Sequence, residues 1–139
     1  MNAIVNDTRG QDAIPTTPGT PFGGGYYAGL ITFSGDTYAT IVAPKSGGEH
    51  GPAGWMPNYA DIAGAGSFFD GLSNTKAMAV AGSDLAKWAL ALNINGESDW
   101  YLPSRDELEL LYRHFKPTDD ENYVYRNGDS GAHAVWGSY

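Results

Sequence analysis

Nineteen glycines and eight prolines in 139 residues leave few stretches able to sustain a long helix, because glycine gives up the most backbone entropy on ordering and proline lacks an N–H. A helical bundle is therefore excluded. The same chain carries four tryptophans and nine tyrosines against 17% charged residues, which describes a loop-rich fold with a core of aromatic and small residues. At this length one domain with one core is expected. There is no cysteine, so disulfides and thiolate metal sites are out of reach and packing or oligomerisation has to supply the stability.

The formal charge of −8 opposes phosphate backbones and anionic lipid, both of which call for clustered basic residues. Nucleic acid is not an expected partner. No stretch approaches the roughly 20 apolar residues of a membrane span, and residues 1–17 lack a charged start followed by an apolar run. The expectation is a protein made in the cytoplasm with no visible export signal and no membrane insertion.

Residues 1–22 hold Pro15, Pro18 and Pro21, several threonines and no periodic apolar pattern. They read as an extended N-terminal arm, and a disordered tail fits as well as an arm docked on a neighbouring subunit. Residues 23–139 read as the domain. After Gly23-Gly24-Gly25, two β-rich runs at 26–33 and 37–43 flank Ser34-Gly35-Asp36, which predicts a hairpin. Residues 44–71 have neither helical nor strand period and predict a long loop pinned by Trp55, Tyr59, Phe68 and Phe69.

From 74 to 92, Met78, Ala81, Leu85, Trp88 and Leu92 recur at helical spacing, with Lys76, Asp84 and Lys87 off the stripe and Gly82-Ser83 as a break point. Asn95-Gly96 is expected to end this helix. Trp100-Tyr101-Leu102 then leads into Pro103-Ser104-Arg105-Asp106-Glu107, where Ser104 and Glu107 have capping-box spacing. A helix from Arg105 follows, with Leu108, Leu111, Tyr112 and Phe115 on one face, Glu109 four residues before Arg113, and Pro117 as the stop. Short strands are expected at 123–126 and 133–136 around Asn127-Gly128.

Chemistry-bearing patterns are few. Asp119, Asp120, Glu121, Asn122 and Asp129 gather oxygen ligands of the kind calcium takes, but without the alternate-position spacing and central glycine of a calcium loop, so a solvated acidic loop accounts for them. No cofactor is expected. His50, His114 and His133 form no i, i+4 pair. Ser104 has no nucleophile elbow around it, and capping explains it. Asp106, Glu107 and Glu109 are neighbours on one helix and cannot face each other across a sugar bond as a glycosidase pair must. Neither Gly23-Gly24-Gly25 nor Gly64-Ala65-Gly66 is followed by the G-K-[ST] of a phosphate loop. The positive signal is the exposed aromatics, whose flat faces suit sugar rings as well as packing partners; Trp88 and Trp100 are expected to pack.

The string Gly71-Leu72-Ser73-Asn74-Thr75-Lys76-Ala77-Met78, then Ala86-Lys87-Trp88, then Asp99-Trp100-Tyr101-Leu102-Pro103-Ser104-Arg105-Asp106-Glu107-Leu108, resembles the domain of unknown function typified by the C-terminal part of the Lcl collagen-like adhesin. Gly24-Gly25-Tyr26-Tyr27 and Ile41-Val42-Ala43-Pro44-Lys45 look like the phage and prophage version of that domain, so the resemblance covers about residues 23–123. It implies an α+β, C-type-lectin-like fold with two helices packed on small antiparallel sheets, long loops and Trp100, Pro103, Ser104 and Glu107 as its structural motif. It also implies adhesion or virion assembly. Family members run on to a Trp-Ser-Ser-rich strand where this chain has only Ala134-Val135-Trp136-Gly137-Ser138-Tyr139, which implies a shortened C-terminal lobe or a fragment.

The function expected from these features is a non-enzymatic bacteriophage tail component, a fibre tip or baseplate-associated domain. Its arm would anchor it to other tail proteins, most plausibly as a homotrimer, and its loops would meet host-surface glycan or protein. The alternatives are a purely structural virion protein, and an enzyme related to formylglycine-generating enzymes or glycan hydrolases. The lack of cysteine counts against the former enzyme class.

Overall fold

The computed structural model describes residues 2–5, 13–58 and 60–115. Among these the chain is α+β: four strands form one antiparallel sheet, and four helices follow it in sequence. The strands are β1 (Asn2–Val5), β2 (Pro21–Phe22), β3 (Gly25–Phe33) and β4 (Asp36–Val42), in the spatial order β1-β4-β3-β2.

The hairpin forms as the sequence predicts, with Phe33 opposite Asp36. Its two-residue connection has Ser34 at φ 53° and Gly35 at φ 87°, the left-handed pair whose twist matches that of the flanking strands. Tyr27 pairs with Ile41 and Gly29 with Thr40, so Ala28 bulges out of the ladder. Of the segment read as an arm, residues 2–5 pair along β4 and Pro21–Phe22 along β3, while Ile14 packs against the core. Among the described residues these strands make one sheet. The strands expected near 123–126 and 133–136, and the acidic cluster from Asp119 to Asp129, lie outside the described residues.

The core gathers Tyr27, Ala39, Ile41, Ala43 and Trp100, with Ile14, Phe22, Leu92 and Ile94 packed around them. Strand alternation explains the set, since Ala39, Ile41 and Ala43 share one face of β4. Trp100 is fully buried and donates its indole N–H to the Glu97 carbonyl at 2.9 Å, which satisfies the polar edge that burial would otherwise orphan.

The helices differ from expectation in informative ways. A single turn, α1 (Lys45–Gly48), opens the long loop, started by Pro44. The helical stretch expected at 74–92 is two helices, α2 (Gly71–Val80) and α3 (Asp84–Leu90), broken at Gly82 as the sequence suggests. It begins earlier because Asp70 caps it, accepting the Ser73 N–H at 2.9 Å. The stripe through Met78, Ala81 and Leu85 is not its buried face. Gly71 and Thr75 are buried in α2, and Ala86 and Ala89 in α3, because small residues let these short helices approach their neighbours closely. The helix ends at Leu90, before Asn95-Gly96, which instead forms a left-handed turn between Ile94 and Glu97. The last helix, α4 (Arg105–Phe115), starts where the capping box predicts.

Packing of α4 on β3 depends on Gly29. At φ 141°, a Cβ there would stand 3.1 Å from both Leu110 Cδ1 and His114 Cε1. The bulge turns the Ala28 carbonyl to accept from His114 Nδ1, fixing the far end of the helix to the strand.

Candidate functional site

Two structures grow out of the motif at 100–108. The first is a buried polar clamp. Ser104 N–H donates to Glu107 Oε2 at 2.6 Å, and Glu107 N–H donates to Ser104 Oγ at 3.4 Å, the reciprocal pair of a capping box. Glu107 is fully buried, and its other oxygen accepts the Tyr101 hydroxyl at 2.9 Å. The Gly71 N–H at the start of α2 also donates to this carboxylate. Thr75 joins the same seam, accepting the Leu102 N–H at 3.0 Å and donating to the Gly71 carbonyl at 2.7 Å.

Burial pushes the Glu107 carboxyl above the usual carboxylate range, against the lowering effect of hydrogen bonds from Ser104, Tyr101 and Gly71. Burial, reinforced by the neighbouring Glu107 charge, pushes the Tyr101 phenol upward as well. A carboxylate so enclosed has no route to a substrate. Its hydrogen bonds join the starts of α2 and α4, and Trp100 lies in the core.

The second structure is a groove of about 660 Å³ over the other side of the motif. It is lined by Val42 and Ala43 at the end of β4, by Leu85 and Trp88 of α3, by Leu102, Pro103 and Leu108, and by Lys45, Glu49, His50 and Trp55 from the long loop. The His50 ring meets the Trp88 ring edge-on with centroids 4.6 Å apart, and its Nδ1 bonds the Gly51 carbonyl at 2.7 Å. Trp55 is 46% exposed, yet its carbonyl accepts the hydroxyl of fully buried Ser83 at 2.5 Å. Ser83 also caps α3, accepting the Ala86 N–H at 3.1 Å. One residue therefore sets both the loop carrying Trp55 and the helix carrying Trp88. At the rim Lys45 Nζ and Glu49 Oε2 stand 3.6 Å apart.

The expected loop aromatics divide between two places. Trp55 enters the groove. Phe68 and Phe69, 58% and 48% exposed, lie beside the hairpin instead: Phe69 meets Phe33 at 5.9 Å, Phe33 stacks on Tyr38 at 4.7 Å, and the Arg105 guanidinium covers Phe68 at 4.1 Å. The Phe68 carbonyl accepts the Asp106 N–H at 2.9 Å, and Asn74 holds Ser67 through two bonds of 2.9 and 2.6 Å. Tyr59 lies outside the described residues.

Trp88 is half-buried, packs against His50 and also lines the groove. Its helical spacing carries the same signal for a core stripe as for a groove lining. His50, Lys45 and Glu49 come from a stretch with no periodicity, and nothing local in sequence links His50 to Trp88. Among the described residues no three His, Cys, Asp or Glu side chains gather to hold a metal ion, and no helix is long and apolar enough to cross a membrane. No family model, curated protein or solved structure matches this chain.

Proposed function

We propose that this chain is a non-enzymatic binding domain of a bacteriophage tail, with a C-type-lectin-like scaffold, that holds host-surface glycan in the groove between α3 and the long loop. The observation that carries the binding site is the pair of tryptophans, Trp55 and Trp88, that line one groove with Leu85, Leu102, Pro103 and Leu108, the loop of the first and the helix of the second tied together through Ser83. Flat indole faces with polar edges suit the apolar faces and hydroxyl rims of pyranoses, and the groove is within the range of ligand sites, roughly 300–1,000 Å³. Hydrolysis of a glycosidic bond calls for two carboxyl groups across it; among the described residues, those lining the groove include one, Glu49, beside Lys45. The tail setting and a trimeric assembly rest on the resemblance carried by the motif at 100–108 and are proposed with it.

A glycan array probed with the purified chain and with Trp55→Ala tests the reading. Discrete hits lost in the variant support it. Silence on the array together with incorporation of the chain into particles favours a virion assembly role, which has its own support in exposed Phe68 and Phe69, the first under Arg105 and the second beside half-buried Phe33 and Tyr38. Aromatic side chains beside an arginine are what protein interfaces concentrate at their centres.

A further inference from the structure

We infer that the groove selects neutral oligosaccharides and discriminates against sulfated or otherwise polyanionic glycans, an inference that rests on the glycan-binding reading above. The argument is electrostatic. A polyanionic sugar chain is held by cations set along its path, and its affinity comes largely from the counterions they displace. Among the described residues, those lining this groove include a single ammonium or guanidinium group, Lys45. Its Nζ stands 3.6 Å from the Glu49 carboxylate, another lining residue, so the rim carries an opposed pair with no net charge. The chain as a whole has a formal charge of −8, a balance that opposes association with a polyanion.

The remainder of the surface favours an uncharged, ring-shaped ligand. Ala43, Leu102, Pro103 and Leu108 line the groove with apolar side chains, and Trp55 and Trp88 add two indoles to the same lining. The Lys45–Glu49 pair and His50 are then left to meet hydroxyls, for which a donor and an acceptor held side by side are suited, since each hydroxyl both donates and accepts. A volume of about 660 Å³ suits a short oligosaccharide segment, with the weak single-site affinity that multiple copies raise.

The test is calorimetric titration of the full chain with cellotriose, maltotriose and tri-N-acetylchitotriose as neutral probes, and with a heparin hexasaccharide as the sulfated one, at low and high salt. The expected result is binding of at least one neutral probe with affinity changing less than about twofold across the salt range, because no counterions are released. Trp55→Ala should weaken that binding by about tenfold or more, and Glu49→Gln, which removes the rim carboxylate but leaves Lys45, should raise heparin affinity from its starting level. Salt-sensitive binding of heparin by the unmodified chain, lost in Trp55→Ala and without binding of the neutral probes, overturns the inference while leaving the groove a glycan site. Failure of every probe, with array hits unaffected by Trp55→Ala, overturns both readings.

Discussion

The Ser83 hydroxyl donates to the Trp55 carbonyl at 2.5 Å while its oxygen accepts the Ala86 N–H at 3.1 Å, and the side chain making both bonds is fully buried. A loop whose described helical structure is the single turn α1 is thereby registered against the first turn of α3, and with it against Trp88 one turn further on. Preorganisation of this kind lowers the ordering cost that a flexible loop would impose on binding.

Ser83→Ala removes the cap and orphans the Trp55 carbonyl together. Loss of the cap alone costs about 1 kcal/mol, and the unsatisfied carbonyl adds to it. Urea denaturation should show destabilisation of about 1–3 kcal/mol, and glycan affinity should fall although no ligand-facing atom has changed. Ser83→Thr, which keeps the hydroxyl, should restore most of both. Unchanged affinity in Ser83→Ala would mean that the loop is held by other contacts.

Gly71 starts α2 against the turn that precedes α4. A Cβ there would meet Leu102 O at 2.6 Å and Ser104 N at 2.7 Å, backbone atoms that cannot swing aside. Gly71→Ala should cost about 1–3 kcal/mol, the usual toll of overpacking. Gly66→Ala, where nothing lies within 4 Å, is the matched control and should be close to neutral. Thermal unfolding of the two variants checks both halves of the claim.

The pH dependence of stability carries the signature of Glu107. Its folded pKa is raised by burial, so the folded state holds that proton to higher pH than the unfolded state does. Stability from this group is present at acid pH and is lost as pH rises from the ordinary glutamate range through the folded value. Relative to Glu107→Gln, the unmodified chain should therefore lose ground as pH increases through that window. A relative gain would mean that hydrogen bonds from Ser104, Tyr101 and Gly71 outweigh burial.

Trp100→Ala empties the centre of the core. Truncation of a buried aromatic residue costs about 3–5 kcal/mol, a large share of the stability of a domain this size, roughly 5–15 kcal/mol. Circular dichroism should show loss of the cooperative transition or a strongly lowered Tm. A transition within a few degrees of the original would place the core elsewhere.

Local chemistry made part of this architecture legible. The capping box at Ser104 and Glu107, the Glu109–Arg113 pair at 3.0 Å, the hairpin at Ser34-Gly35 and the break at Gly82 each depend on residues close in sequence, and each stands where the sequence put it. What could not be read came from long-range contacts. Pairing of residues 2–5 with β4 closes a loop of more than thirty residues, and no periodicity in so short a run announces it. The buried face of α2 consists of Gly71 and Thr75, small or polar residues that a hydrophobic stripe never highlights; their burial follows from the close approach of residues 102–104. The groove was half visible, in Trp55. Trp88, His50, Lys45 and Glu49 join it only through the fold, and the Phe68–Phe69 pair, expected beside Trp55, is drawn away by Phe33 and Arg105.

The most direct test of the groove as the binding site is the indole N–H region of a 15N-labelled spectrum, recorded during titration with the neutral trisaccharides. Resonances of Trp55 and Trp88, assigned by Trp55→Phe and Trp88→Phe, should shift together in a saturable way while that of Trp100, bonded to Glu97 within the core, stays fixed. Saturable binding that leaves Trp55 and Trp88 unmoved would contradict the account and direct attention to the aromatic surface around Phe68 and Phe69.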